Sequence, residues 1–143
     1  MLFGRKQRTI TRLLVVEDEP LVAFDTEHLL TEQGFDIVAT VDRVAAAVAV
    51  IGEGTAIDLV LVDVNLADGT GIDVARAAGV RGIPVLFVTG ACPADAETLA
   101  IGCLSKPYGQ RDLLNAIGAI ERAIAGGKRP KRLPGGFRLF GKT

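Results

Sequence analysis

The chain reads as an α/β protein built on a parallel sheet, and three observations carry that reading. From residue 12 onward, short apolar runs rich in β-branched residues alternate with longer segments of helical period, the pattern of βαβ units. The runs are nearly continuous in apolar residues, as strands are when both faces of a sheet are covered. The length of 143 residues, 49% of them hydrophobic, suffices for one domain of ordinary size with its own core.

Five runs are expected as strands: residues 13–16, 35–41, 57–62, 84–88 and 101–104. Between the first two, residues 19–33 carry Leu21, Phe24, His28 and Leu29 at helical spacing, with Pro20 suited to a first turn and Gly34 as a C-terminal stop. A second helix over 44–51 follows Asp42 as N-cap, and a third over 72–78 follows a Gly-rich turn. A last helix over 110–125 aligns Leu113, Leu114, Ile117, Ile120 and Ile124 on one stripe. Residues 92–100 leave room for only about two turns, so the fourth crossover is expected to be short or irregular.

Charge is distributed unevenly. Residues 1–12 hold Arg5, Lys6, Arg8 and Arg12, and residues 126–143 hold Lys128, Arg129, Lys131, Arg132, Arg138 and Lys142, with no acid in either. All 17 acids face six basic residues in the middle, a core charge of −11 that would repel nucleic acid, and itself, unless carboxylates are paired or metal-bound. The expected organisation is a basic extension over 1–10, a folded domain over 11–125 and a flexible basic Gly/Pro-rich tail over 126–143. Contact of that tail with membrane or nucleic acid is not expected to be its main role. The chain offers little room for a separate DNA-binding output domain. No apolar run approaches the roughly 20 residues of a membrane span, and two cysteines make neither a disulfide framework nor, with a sole histidine, a zinc site. A reducing cytoplasm is therefore expected. Cys103 reads as a small buried hydrophobe, Cys92 as a loop residue and His28 as a partly buried packing residue.

Ligands of an open parallel sheet bind outside the carboxyl ends of its strands. Those positions hold Glu17 and Asp18 after the first run, Asp63 at the end of the third, Thr89 after the fourth and Lys106 after the fifth. Clustered carboxylates form a hard-oxygen site suited to Mg²⁺. An aspartate can accept a phosphoryl group as an acyl phosphate, while the metal, a lysine and a threonine hydroxyl neutralise or bond the transferred oxygens.

In order and spacing these residues resemble the receiver domains of bacterial two-component response regulators, over about residues 10–125. The acidic pair matches Glu17 and Asp18, the phosphoacceptor Asp63 within Leu61-Val62-Asp63-Val64, the hydroxyl residue Thr89, and the Lys-Pro pair Lys106-Pro107. The resemblance implies a flavodoxin-like, doubly wound, five-stranded sheet in order 2-1-3-4-5 with a cis Lys106–Pro107 bond. It also implies Mg²⁺ held by Glu17 through water, Asp18, Asp63 and the Asn65 backbone carbonyl. Two departures stand out: Cys103 occupies the place of the family's aromatic switch residue, and Lys106 lies only 17 positions after Thr89, so the fourth crossover helix is short or absent. Phe87-Val88-Thr89-Gly90 and Asp63-Val64-Asn65-Leu66 resemble an atypical, mostly alphaproteobacterial subgroup with a Phe-Ala-Thr-Gly motif.

The implied function is a signalling switch phosphorylated on Asp63 by a sensor histidine kinase or a phosphotransfer protein, acting on a downstream protein by contact. The alternative is a pseudo-receiver serving as a constitutive interaction module, towards which the altered residue at 103 points. A phosphatase with an aspartyl nucleophile would want a second aspartate where this chain has Asn65, so an enzyme of free substrates is not expected. Oligomeric state, cognate kinase and target are not legible in the sequence.

Overall fold

The computed structural model describes residues 8–127 and 132–140. In chain order the elements are β1 (Arg12–Val16), α1 (Pro20–Glu32), β2 (Asp36–Val41), α2 (Val44–Gly52), β3 (Leu59–Val62), a small hairpin of β4 (Asn65–Leu66) and β5 (Gly69–Thr70), α3 (Gly71–Val80), β6 (Val85–Thr89), a single 3₁₀ turn (Ala96–Thr98), β7 (Gly102–Ser105), α4 (Gln110–Ile124) and β8 (Phe137–Leu139). The main sheet runs β2-β1-β3-β6-β7-β8. Its first five strands are parallel, in the doubly wound order expected, and the fourth crossover is reduced to the 3₁₀ turn.

Alternation along each strand divides the core in two. Leu13, Val15, Leu59, Leu61, Leu86, Val88 and Leu104 point to the side covered by α1 and α4, where Leu30, Leu113, Ile117 and Ile120 meet them. Leu14, Val16, Val60, Val62, Val85, Phe87 and Cys103 point to the side covered by α2 and α3 through Ala47, Ile51, Val74 and Ala78.

Four expectations from sequence are corrected. The tail is not without a packed element: Phe137–Leu139 adds a sixth strand, antiparallel to β7, with Leu104 opposite Phe137 and Gly102 opposite Leu139. The bare backbone of Gly102 makes room for it, since a Cβ there would stand 2.9 Å from the Phe137 ring. Residues 128–131 and 141–143 of the expected tail, and 1–7 of the N-terminal extension, lie outside the described residues. The first helix is rotated from its expected stripe. Thr26, Leu29 and Leu30 are buried, whereas Leu21 and Phe24 are 77% and 67% exposed and His28 stacks on Phe24 beside Glu32, at 3.3 Å, in solvent. Asp42 does not cap α2. That helix starts at Val44 as expected, but Arg43 holds the capping position without a side-chain bond, and Asp68 from the β4–β5 turn accepts from the backbone N–H of Val44 (2.6 Å) and Ala45 (3.1 Å), which depresses its pKa. Finally, Cys92 and Cys103 are joined in a disulfide, their Cα atoms 6.2 Å apart and within bridging range.

The described N-terminal residues are held down as well. Glu121 of α4 accepts from the backbone N–H of Thr9 and Ile10, and the Arg8 guanidinium lies 4.1 Å over the Phe35 ring.

Candidate functional site

The strand order fixes which chain ends meet. β1 and β3 are neighbours, so Glu17, whose N–H donates to the Val41 carbonyl, and Asp63, whose N–H donates to the Val16 carbonyl, emerge side by side. One ligand oxygen from each of Glu17, Asp18 and Asp63 can be chosen so that all lie within 4.8 Å of one another. Glu17 and Asp63 are buried and Asp18 is exposed, so the acidic cluster opens to solvent on the Asp18 side.

Lys106, carried past the end of β7 and followed by a cis peptide bond to Pro107, reaches back into this cluster. Its ammonium donates to Glu17 Oε1 at 2.7 Å and to Asp63 Oδ2 at 2.8 Å. Burial pushes the Glu17 carboxyl above its ordinary value, more than its bonds to Lys106 and to the Glu19 N–H pull it down. Burial works against the Lys106 charge too, yet the carboxylates of Asp63 and Glu17 outweigh it and the net shift is upward. The two directions agree: the lysine is held charged, while Glu17 stays short of favourable contacts for its own charge. A hard cation among these oxygens would supply what it lacks, so the donor set fits Mg²⁺.

The second oxygen of Asp63, Oδ1, accepts from the Asn65 N–H at 3.1 Å, which orients the carboxylate. Thr89 is 1% exposed, and its Oγ1 is the buried side-chain polar atom left without a partner among the described residues. Its backbone carbonyl accepts from the Lys106 N–H at 2.8 Å. Thr89 and Lys106 are therefore linked directly through the backbone of β6 and the segment after β7.

All the residues singled out from sequence, Glu17, Asp18, Asp63, Asn65, Thr89 and Lys106, lie at the carboxyl end of the sheet. Gly71 was missed. A Cβ there would collide with the Asp63 carbonyl and stand 2.9 Å from the Val62 side chain, so the start of α3 can press against the end of β3 only as glycine. The Gly69-Thr70-Gly71 turn was the available signal. Also missed was a groove of about 500 Å³ beside the site, between α1 and α4, lined in part by Val22, Thr26, Leu29, Pro107, Tyr108 and Leu113.

A family model, the response regulator receiver domain, matches residues 13–118. The chain belongs to this family. The receiver domain is 32% identical over 122 residues to the cell cycle transcriptional regulator CtrA of Caulobacter vibrioides, a match over 80% of this chain and 52% of CtrA. The chain thus spans about half the length of such curated relatives. Among solved structures, it is 34% identical to SdrG from Sphingomonas melonis Fr1, with a TM-score of 0.65 over 80% of this chain and 98% of that one. It is 26% identical to a response regulator receiver protein from Sinorhizobium medicae, with a TM-score of 0.70 over 80% and 97% of the two chains. Among the described residues no helix is long and apolar enough to cross a membrane.

Proposed function

We propose that this receiver domain is a cytoplasmic phosphorylation switch that accepts a phosphoryl group on Asp63 from a sensor histidine kinase or a phosphotransfer protein. The observation that carries the reading is Lys106 clamped between Glu17 and Asp63, 2.7 and 2.8 Å away, with Thr89 Oγ1 buried and unpartnered on the neighbouring strand. In the transfer an Asp63 oxygen attacks phosphorus, the bond from phosphorus to the donor's imidazole nitrogen breaks, and the imidazole keeps the electron pair. Asn65 N–H steadies Asp63 through Oδ1 as it attacks. Lys106 is placed to follow the charge from Asp63 Oδ2 onto a phosphoryl oxygen, and Thr89 Oγ1 gains there the partner it lacks. Glu17, Asp18, Asp63 and the Asn65 carbonyl would hold Mg²⁺, which neutralises charge on the transferred oxygens.

The groove between α1 and α4 opens beside Lys106, and Leu21 and Phe24 stand exposed on α1, a setting for a donor's helical surface. The protein acts by changing its contacts with a downstream partner, and the phosphoryl group it takes goes to its own aspartate rather than to a free substrate. Incubation with Mg²⁺ and a small acyl-phosphate donor should add one hydroxylamine-labile phosphoryl group, absent in Asp63→Asn. A chain that stays unmodified under these conditions and with kinase extracts is instead a constitutive interaction module.

A further inference from the structure

We propose that Cys92 and Cys103 form a reversible thiol–disulfide switch, whose oxidised form pins the loop after Thr89 to β7 and withholds the movement by which phosphorylation of Asp63 is reported. The thiol chemistry stands by itself; the gating rests on the reading of Asp63 as phosphoacceptor.

The placement of the two sulfurs carries the argument. Cys92 lies three residues beyond Thr89, and Cys103 lies three residues before Lys106, so the bridge joins the two segments that a phosphoryl group would draw together. Between them the chain has little of its own to hold it. The backbone hydrogen bonds of 93–100 run within the segment, as from Ala96 N–H to the Pro93 carbonyl, Thr98 N–H to Asp95 and Leu99 N–H to Ala96. Its single regular element is the three-residue turn Ala96–Thr98. Ala96, with Leu99 and Ala100 partly buried beside it, packs on the core, and the disulfide adds the one covalent tie of this loop to the sheet. A segment with so few bonds to the sheet belongs to the low-stability end of a fold and is ordered or released easily. Closing a loop with a covalent bridge removes much of that freedom.

The two sulfurs differ in access. Cys103 is fully buried among Phe87, Ala96 and their neighbours, whereas Cys92 is only half-buried. Exchange must therefore enter and leave at Cys92. With glutathione disulfide as oxidant, the Cys92 thiolate attacks one of its sulfurs, that S–S bond breaks and one glutathione thiolate departs. The Cys103 thiolate then attacks the Cys92 sulfur of the mixed disulfide and expels the second glutathione. Two protein thiols lose two electrons, glutathione disulfide gains them, and the two protons pass to the departing thiolates. Reduction runs the same steps backwards, with glutathione attacking the accessible Cys92 sulfur. In a reducing compartment a bridge of this kind marks redox sensing rather than permanent reinforcement.

The test uses the full chain. Equilibration in millimolar glutathione mixtures, followed by acid quench, alkylation and intact mass, should show native dithiol and disulfide forms interconverting; a bridge that no mixture reduces in the folded protein overturns the switch. Amide spectra are then recorded with Mg²⁺, with and without beryllofluoride as phosphoryl mimic. In the reduced form and in Cys92→Ser the amides of residues 90–100 should move, and in the oxidised form they should stay several-fold closer to their starting positions. Equal responses in all three overturn the gating. Absence of any response at Asp63 in all three overturns the phosphoacceptor reading and the gating with it, while the thiol titration still decides whether the pair is reversible.

Discussion

Replacing Lys106 by Met keeps the aliphatic stem and removes the cation between two buried carboxylates. The side chains of Lys106, Glu17 and Asp63 are 21%, 6% and 11% exposed, so water makes up little of the loss. Two charge-assisted bonds disappear, each worth about 1.5–3 kcal/mol. The penalty has a ceiling, because the variant can always protonate Glu17. From its ordinary value of 4.5 that costs, at pH 7, about 3.4 kcal/mol at 1.36 kcal/mol per unit. The expected destabilisation is therefore about 3 kcal/mol at pH 7 in metal-free buffer. At pH 5.5 the same ceiling drops to about 1.4 kcal/mol. The sign follows from linkage: the folded variant holds a proton that the unfolded chain releases above 4.5, so the deficit grows as pH rises and shrinks as it falls. Urea unfolding of wild type and Lys106→Met at the two pH values, followed by circular dichroism, measures both numbers. A loss below about 0.5 kcal/mol at pH 7, the size of an ordinary surface substitution, would refute the reasoning, as would an equal loss at both pH values.

Three further outcomes follow from the geometry. Phe137→Ala should cost about 2–4 kcal/mol in urea unfolding, and removal of all residues after Leu133 should cost the same, because detachment of β8 caps the loss; a tail that did not pack would show no change in either. Gly71→Ala should destabilise by about 1–3 kcal/mol through overpacking against Asp63 and Val62, and should also lower the rate of labelling by an acyl-phosphate donor, read by mass spectrometry. Asp58 is half-buried; burial alone would raise its carboxyl, but bonds from the N–H groups of Thr11 and Arg12, both 2.9 Å, and from the Thr11 hydroxyl hold it below its ordinary value of 3.8. Its contribution is complete above that value and is lost as pH falls through the lower folded one, so Asp58→Asn should flatten the acid limb of a stability–pH curve.

The parallel sheet and the site were legible because both depend on local pattern, apolar β-branched runs and the residues that follow them, while the strand order came from the resemblance to receiver domains. Strand ends converge wherever the topology is doubly wound, so Glu17, Asp18, Asp63, Thr89 and Lys106 could be placed together before any coordinate. What escaped depends on contacts between distant segments. Phe137-Arg138-Leu139 is too short to stand out among Gly, Pro and basic residues, and it becomes a strand only because β7 offers an edge and Gly102 offers space. Leu21 and Phe24 completed an apolar stripe on paper, yet the sheet selected the neighbouring face of α1 through Thr26, Leu29 and Leu30. Asp68 caps a helix more than twenty residues upstream, which no local rule anticipates. The Cys92–Cys103 bridge exists because β6 and β7 are adjacent and the crossover between them is short.

The most direct test of the account locates the acceptor atom. Borohydride reduction of an acyl phosphate converts the modified aspartate to homoserine, which tandem mass spectrometry places in the sequence. After incubation with Mg²⁺ and a phosphoryl donor, homoserine at position 63 alone is the predicted result. Homoserine at another aspartate, such as 18 or 58, would contradict the claim that Asp63 is the phosphoacceptor of this receiver domain.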